Sequence, residues 1–108
     1  MKEYKVKVVP MAKKKMRDYL TYLLMVCQRE DSYEAVKNDY YETIDSLANV
    51  AGSLPEPLEP KLLQRGLKEI HFLHHKYKML YRLKGDTAEV VYIFHDSEDY
   101  LNKLDTVI

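Results

Sequence analysis

The stretch from residue 66 to residue 100 constrains the fold most, because it reads as three consecutive β-strands. Its apolar segments are Gly-Leu-Lys-Glu-Ile-His-Phe, Tyr-Lys-Met-Leu-Tyr-Arg-Leu and Glu-Val-Val-Tyr-Ile-Phe-His. Short turns separate these segments, at residues 74–76 and at Gly85 and Asp86, and a glycine suits a tight hairpin turn. Strands joined by such short turns pair side by side, so the sequence predicts an antiparallel meander.

A short strand and an amphipathic helix are predicted before this meander. Alternation of apolar residues with lysines predicts a half-buried strand, with Tyr4, Val6 and Val8 on its apolar side. Pro10 ends the strand and suits the first turn of a helix, which the apolar spacing continues to about residue 29. Cys27, the one cysteine, lies in the apolar stripe of this helix, so we expect a reduced, buried thiol.

A second helix is predicted over about residues 31–51. Asp31 and Glu34 have the spacing of a capping box, and Gly52 is well placed to end the helix. Its apolar face consists of Tyr33, Val36, Tyr40, Ile44, Leu47 and Ala51. The connection at residues 28–32 is short, so the two helices should form an antiparallel hairpin. Three prolines in residues 53–60 then predict an extended connector to the sheet.

These elements predict an α+β fold in the order β-α-α-β-β-β, as a single domain over residues 1–108. A helical hairpin packs on one face of a small, mostly antiparallel four-stranded sheet. Strand alternation places Lys78 and Arg82 on the opposite face, which is left to solvent or to a ligand. A polar outer face is also what any two-layer domain needs, so strand phasing alone leaves a binding role and a purely structural role open.

The net charge is zero, but the charges alternate in blocks along the chain. Residues 1–17 and 61–84 each carry seven basic residues against one acidic residue, whereas residues 18–60 and 85–108 are acidic. If the two basic blocks meet in the fold, they form a basic face. No apolar run approaches the roughly 20 residues that cross a bilayer, and no apolar signal segment begins the chain, so we expect a soluble, cytoplasmic protein.

The order of elements and three motifs resemble the RelE/ParE toxin superfamily of type II toxin–antitoxin systems, which includes plasmid-stabilisation toxins. The motifs are Gly-Leu-Lys-Glu-Ile, Tyr-Lys-Met-Leu-Tyr-Arg-Leu and the tail His-Asp-Ser-Glu-Asp-Tyr-Leu. The resemblance covers nearly the whole chain. It implies a cognate antitoxin as partner, a possible homodimer or toxin–antitoxin heterotetramer, and inhibition of growth.

For the branch that cleaves messenger RNA on the ribosome, the resemblance implies two sets of site residues. The catalytic residues would be Lys78, His95 and Tyr100, and the residues that hold RNA phosphates would be Lys68, His71 and Arg82. Attack by a ribose 2′-hydroxyl needs a base, an acid and fixed positive charge, and histidine titrates near neutral pH.

One departure from the family pattern leaves the mechanism open. Asp96, Ser97, Glu98 and Asp99 stand where many members carry arginines, and acidic groups there repel a phosphate backbone. The alternatives are a non-enzymatic toxin that binds a protein such as DNA gyrase, and a member that only binds its antitoxin. No cofactor is expected, and His71, His74, His75 and His95 lack the spacing of a structural zinc site, so no metal is expected either.

Overall fold

The computed structural model describes residues 3–107 and the side chains of residues 3–104. It confirms the predicted α+β class and adds one unexpected short helix, which begins at Pro60. The strands are β1 (Lys5–Val8), β2 (Lys68–His71), β3 (Tyr77–Lys84) and β4 (Thr87–His95). The helices are α1 (Pro10–Thr21), α2 (Glu30–Val50), α3 (Pro60–Gln64) and α4 (Tyr100–Val107), and a π-helical segment (Tyr22–Val26) continues α1. Among the described helices, none has the length and apolar character needed to cross a bilayer.

The four strands form one mixed sheet in the order β1-β4-β3-β2. The predicted meander is confirmed, since β2 pairs antiparallel with β3 and β3 with β4, while β1 pairs parallel with β4. Gly85 has a φ of 60° in the β3–β4 turn, a left-handed conformation that glycine adopts at little cost. The pairing of β3 with β4 shifts register between Leu80 and Tyr81, because β4 carries one extra residue there, Val91.

The sheet face that the helical hairpin covers, here called the hairpin face, carries the main core. Its fully buried residues include Leu47 of α2, Ala51 directly after α2, Met79 and Tyr81 of β3, and Val90 and Ile93 of β4. The Tyr81 hydroxyl donates a hydrogen bond to the Ala51 carbonyl oxygen at 2.8 Å and so ties the end of α2 to β3. Burial raises the pKa of Tyr81 to about 12, so this donor keeps its proton throughout the physiological range.

The opposite face, here called the outer face, is not left to solvent as the strand pattern predicted. A second apolar cluster covers much of it, formed by Leu62, Leu67, Leu80, Val91, Tyr92, Phe94 and Leu104. Helix α3 supplies Leu62 and α4 supplies Leu104. The Glu59 carboxylate accepts a hydrogen bond from the Lys61 backbone N–H and caps α3. Helices of five and eight residues are too short to show a clear apolar period. The sequence therefore did not predict that α3 and α4 pack on the outer face.

The signals that were predicted to start and to end α2 do not have those roles in the structure. The helix begins at Glu30 without a side-chain cap, so the capping box at Asp31 is wrong. It ends at Val50, and Gly52 follows without a left-handed backbone. A Cβ atom at Gly52 would lie 2.5 Å from the Tyr4 hydroxyl oxygen. Glycine therefore serves close packing against Tyr4, and not termination of the helix.

The prediction that Cys27 is buried is also wrong, since the residue is exposed. It follows the π-helical segment, whose wider turn breaks the 3.6-residue period on which the prediction depended. Met25 and Val26 are likewise 68% and 66% exposed. The tip of the helical hairpin therefore presents apolar side chains to solvent.

Candidate functional site

Four polar side chains from three elements lie together on the outer face. They are Glu69 and His71 of β2, Lys78 of β3 and Tyr100 of α4, here called the outer-face cluster. His71 is the register partner of Lys78, and Lys78 is the register partner of Phe94. Phe94 belongs to the second apolar cluster, which covers much of the outer face. Directly paired residues point to the same side of a sheet, so all of these side chains share one face.

Lys78 is the centre of this cluster. Its Nζ atom lies 3.4 Å from Glu69 Oε2 and 5.5 Å from the ring centroids of both Phe94 and Tyr100. Its side chain is only 15% exposed, which corrects the expectation that it projects freely into solvent. A lysine held beside a stacked pair of aromatic rings and next to a carboxylate is a fixed positive charge, because burial restricts its rotamers.

Tyr100 contributes a protonated hydroxyl beside Lys78. Its ring stacks on Phe94 with centroids 4.0 Å apart. Burial, followed by the negative charges of Glu69 and Glu59, raises the pKa of Tyr100 above its ordinary value. The phenol therefore stays neutral at physiological pH and can donate a hydrogen bond to an anion.

His71 is the exposed member of the outer-face cluster. It lies two residues from Glu69 on the same side of β2, so a carboxylate, an imidazole, a cation and a phenol come within one small area. A neutral imidazole nitrogen can accept a proton, whereas the neutral phenol of Tyr100 donates one. The cluster thus offers a proton acceptor, a fixed cation and a hydrogen-bond donor side by side.

Two of the sequence-predicted site residues, His95 and Lys68, lie on the hairpin face. The His95 ring packs edge-on against Tyr77 at 4.9 Å on the hairpin face, and its Nδ1 lies 2.7 Å from the Ser97 hydroxyl. Lys68 also points to the hairpin side, where its Nζ donates to the Leu54 carbonyl oxygen at 2.8 Å. The structure therefore separates His95 and Lys68 from Lys78 by the thickness of the sheet.

Arg82 lies on the same face as Lys78, but too far along β3 to belong to the outer-face cluster. Arg82 lies four positions after Lys78 along β3, which corresponds to about 13 Å. The Arg82 Nε atom donates to Glu89 Oε1 at 2.9 Å, and Lys84 approaches the same oxygen at 3.5 Å. Lys7 of β1 is also a register partner of Glu89, so the two basic sequence blocks do meet on the outer face, around a carboxylate.

In the acidic segment at residues 96–99, Glu98 has a structural role. Glu98 accepts hydrogen bonds from Lys15 of α1 at 3.2 Å and from Lys103 of α4 at 2.9 Å. Although burial acts to raise it, these bonds and one from the His95 backbone N–H hold the pKa of Glu98 below its ordinary value. Glu98 therefore anchors the tail to α1, and its charge is already offset.

A groove of about 820 Å³ lies between α1, α2 and the free edge of β1, here called the hairpin groove. Its apolar lining includes Val6, Met16, Leu20, Tyr40 and Ile44. Its charged lining consists of Lys7, Lys13, Arg17 and Lys37, with no acidic side chain among the described residues that line it. An apolar floor with a basic rim fits an amphipathic, acidic segment of another protein.

Sequence reasoning missed Glu69 and the hairpin groove. Glu69 could have been found, because period-two alternation places it on the same side of β2 as His71. The groove depends on how far α1 and α2 separate over β1, and no local pattern in the sequence reports that separation.

No family model and no curated protein matches the sequence. Among solved structures, the chain is similar to one from the chromosomal ParDE TA system of P. aeruginosa, with a TM-score of 0.68 and 17% identity. The match covers 86% of this chain and 96% of that chain. At this identity the likeness shows that the two chains share a fold, and no more than the fold.

Proposed function

We propose that this protein is the toxin of a type II toxin–antitoxin pair and inhibits translation by cleaving ribosome-bound messenger RNA. The observation that carries the proposal is the outer-face cluster, in which His71 and Lys78 are register partners and Lys78 lies against Tyr100. The shared fold with a chain of a ParDE TA system supports the toxin–antitoxin assignment. The chemistry of the cluster supports cleavage.

Each member of the cluster has a role in attack by a ribose 2′-hydroxyl on the adjacent phosphate. His71 accepts the hydroxyl proton, because its imidazole is exposed and lies beside Lys78 as its register partner. Lys78 offsets the negative charge that develops on the phosphate oxygens, and the neutral Tyr100 donates a hydrogen bond to one of them. As the 2′-oxygen bonds to phosphorus, the bond from phosphorus to the 5′-oxygen breaks, and the leaving 5′-oxygen takes a proton from solvent water, which leaves a 2′,3′-cyclic phosphate. Glu69 holds the Lys78 ammonium in place through their 3.4 Å contact.

The antitoxin occupies the hairpin groove in this proposal. A segment with acidic residues on one side and apolar residues on the other would place its charges on Lys13, Arg17 and Lys37. Its apolar side would cover the groove floor, and such segments commonly fold on contact. Cleavage and neutralisation therefore involve different surfaces of the molecule.

A second candidate function is non-enzymatic binding to a protein target such as DNA gyrase. Two observations favour it. The Lys78 charge is offset by Glu69, and exposed Asp96 and Asp99 lie in the segment between β4 and α4, where they weaken attraction to RNA. In this alternative the outer-face cluster stabilises the packing of α4, and the target binds elsewhere.

The test is to induce the protein in growing bacteria and to follow growth, messenger-RNA ends and plasmid supercoiling together. The proposal predicts growth arrest with new messenger-RNA ends that appear only in translated regions, and rescue by the product of a neighbouring antitoxin-like gene. Arrest with intact messenger RNA and altered supercoiling would replace cleavage by the gyrase alternative. Normal growth at high expression, with no complex formed with the neighbouring gene product, would remove the toxin assignment itself.

A further inference from the structure

We infer that Asp39, Glu42 and His74 form a binding site for a divalent transition-metal ion of the Zn²⁺ class. One ligand atom from each of the three side chains lies within 4.8 Å of the other two. Asp39 and Glu42 are on α2, and His74 is in the turn between β2 and β3. The ion would join the helical hairpin to the end of the β2–β3 pair, independently of the proposed function.

The spacing of these ligands follows from local structure. Asp39 and Glu42 are three residues apart on α2, so their side chains lie on the same side of the helix. His74 Nε2 lies 3.4 Å from Glu42 Oε2. Two ligand atoms at about 2.0–2.1 Å from a tetrahedral zinc ion are about 3.3 Å apart, so this pair already has the required separation.

Asp39 is the fixed ligand of the site. It is 1% exposed, and its carboxylate accepts hydrogen bonds from the backbone N–H groups of Leu73 and His74, each at 3.0 Å. His75 Nδ1 lies 2.7 Å from Oδ2. The Thr43 hydroxyl lies 3.5 Å from Oδ1 but is much closer, at 2.7 Å, to the Asp39 backbone carbonyl, to which it donates its one hydrogen. A carboxylate has about four lone-pair positions, so one remains for a cation.

The other two ligands are free to close on an ion. The side chains of Glu42 and His74 are 57% and 65% exposed, so they can move the remaining distance toward Asp39 without disturbing the core. Hydrogen bonds to a ligating carboxylate, of the kind that Asp39 receives, are a regular feature of metal sites. The ordinary alternative is that His74 and Glu42 form only a surface ion pair, which contributes little.

The experiment uses the full chain, stripped with a chelator, dialysed and titrated with ZnCl₂ by calorimetry and by thermal denaturation. We expect one ion per chain at micromolar affinity and a rise in melting temperature on adding Zn²⁺. His74→Ala and Glu42→Gln should each weaken binding by roughly 10- to 100-fold and abolish the rise in melting temperature. Both side chains are exposed, so both variants should fold.

Matched controls separate this site from general binding to histidines and carboxylates. His71→Ala removes an exposed histidine from the outer face, and Glu34→Gln removes an exposed carboxylate two turns away on α2. Both variants should bind Zn²⁺ with wild-type affinity. Absence of binding by the wild type, or equal weakening in His71→Ala and His74→Ala, would overturn the inference.

Discussion

The two faces of the sheet differ in how they treat polar groups. On the hairpin side, Asp39 and Tyr81 are buried and make hydrogen bonds to the backbone, at the β2–β3 turn and at the end of α2. On the outer face, Lys78 and Arg82 pair with carboxylates and remain within reach of solvent. The comparison indicates that polar groups on the hairpin side determine stability, whereas those on the outer face are available for function.

The largest expected effect on stability comes from Asp39→Ala. The change removes the acceptor of the His74 backbone N–H and the partner of His75, and it leaves the Leu73 backbone N–H only a longer bond, of 3.4 Å, to the Thr43 hydroxyl. Each lost acceptor costs about 1–3 kcal/mol, so the free energy of unfolding should fall by about 3 kcal/mol or more. Chemical denaturation in buffer with a chelator measures it. Glu42→Gln, an exposed change on the same helix, is the control and should stay within about 0.5 kcal/mol of wild type.

A smaller effect on the free energy of unfolding distinguishes two β3 residues on opposite faces, Tyr81 and Lys78. Tyr81→Phe removes the donor to the Ala51 carbonyl oxygen and should lower the free energy of unfolding by about 1–2 kcal/mol. Lys78→Met keeps most of the apolar contact with Phe94 and Tyr100, so it should cost less than about 1 kcal/mol. Parallel denaturation curves measure both. If Lys78→Met proves the more destabilising of the two, the assignment of stability to the hairpin side is wrong.

The smallest expected effect on the free energy of unfolding comes from Glu89 on the outer face, and it depends on pH. The hydrogen bond from Arg82 lowers the pKa of Glu89 below its ordinary value of 4.5, with Lys84 acting in the same direction against burial. A carboxyl whose pKa is lowered in the folded state stabilises that state above its unfolded pKa, and this contribution is lost as pH falls through the folded pKa. Glu89→Gln should therefore cost up to about 1 kcal/mol at pH 7.

That cost should shrink as the pH falls below about 4.5. Denaturation at pH 7 and at lower pH, with Asp86→Asn as an exposed control, measures the difference. A Glu89→Gln cost that does not change with pH would show that the ion pair contributes no charge-dependent stability.

Strand positions were predictable because local chemistry determines them. The range Tyr77–Lys84 and the turn at Gly85 were predicted as observed, since apolar side chains alternate there with mostly basic ones and glycine allows a positive φ. The apolar face of α2 was predictable for the same reason, because Val36, Tyr40 and Leu47 recur at helical spacing and are buried.

The candidate site was predictable only in part. Lys78 and Tyr100 come together as the resemblance implied, because both lie on the outer side of the sheet. His95 was grouped with them from its place at the end of β4, but the extra residue in β4 and the alternation that follows put its ring against Tyr77. The cover by α3 and α4 could not be predicted, since tertiary packing, and not local periodicity, places such short helices.

Comparison of His71→Ala with His95→Ala in messenger-RNA cleavage tests the central claim most directly. The two histidines lie on opposite faces, and only His71 is beside Lys78. Loss of a general base typically lowers the rate by roughly 100- to 10,000-fold, so His71→Ala should abolish detectable cleavage while keeping its fold and antitoxin binding. His95→Ala should cleave at a rate near that of the wild type. Loss of cleavage in His95→Ala with cleavage retained in His71→Ala would contradict the assignment of function to the outer face.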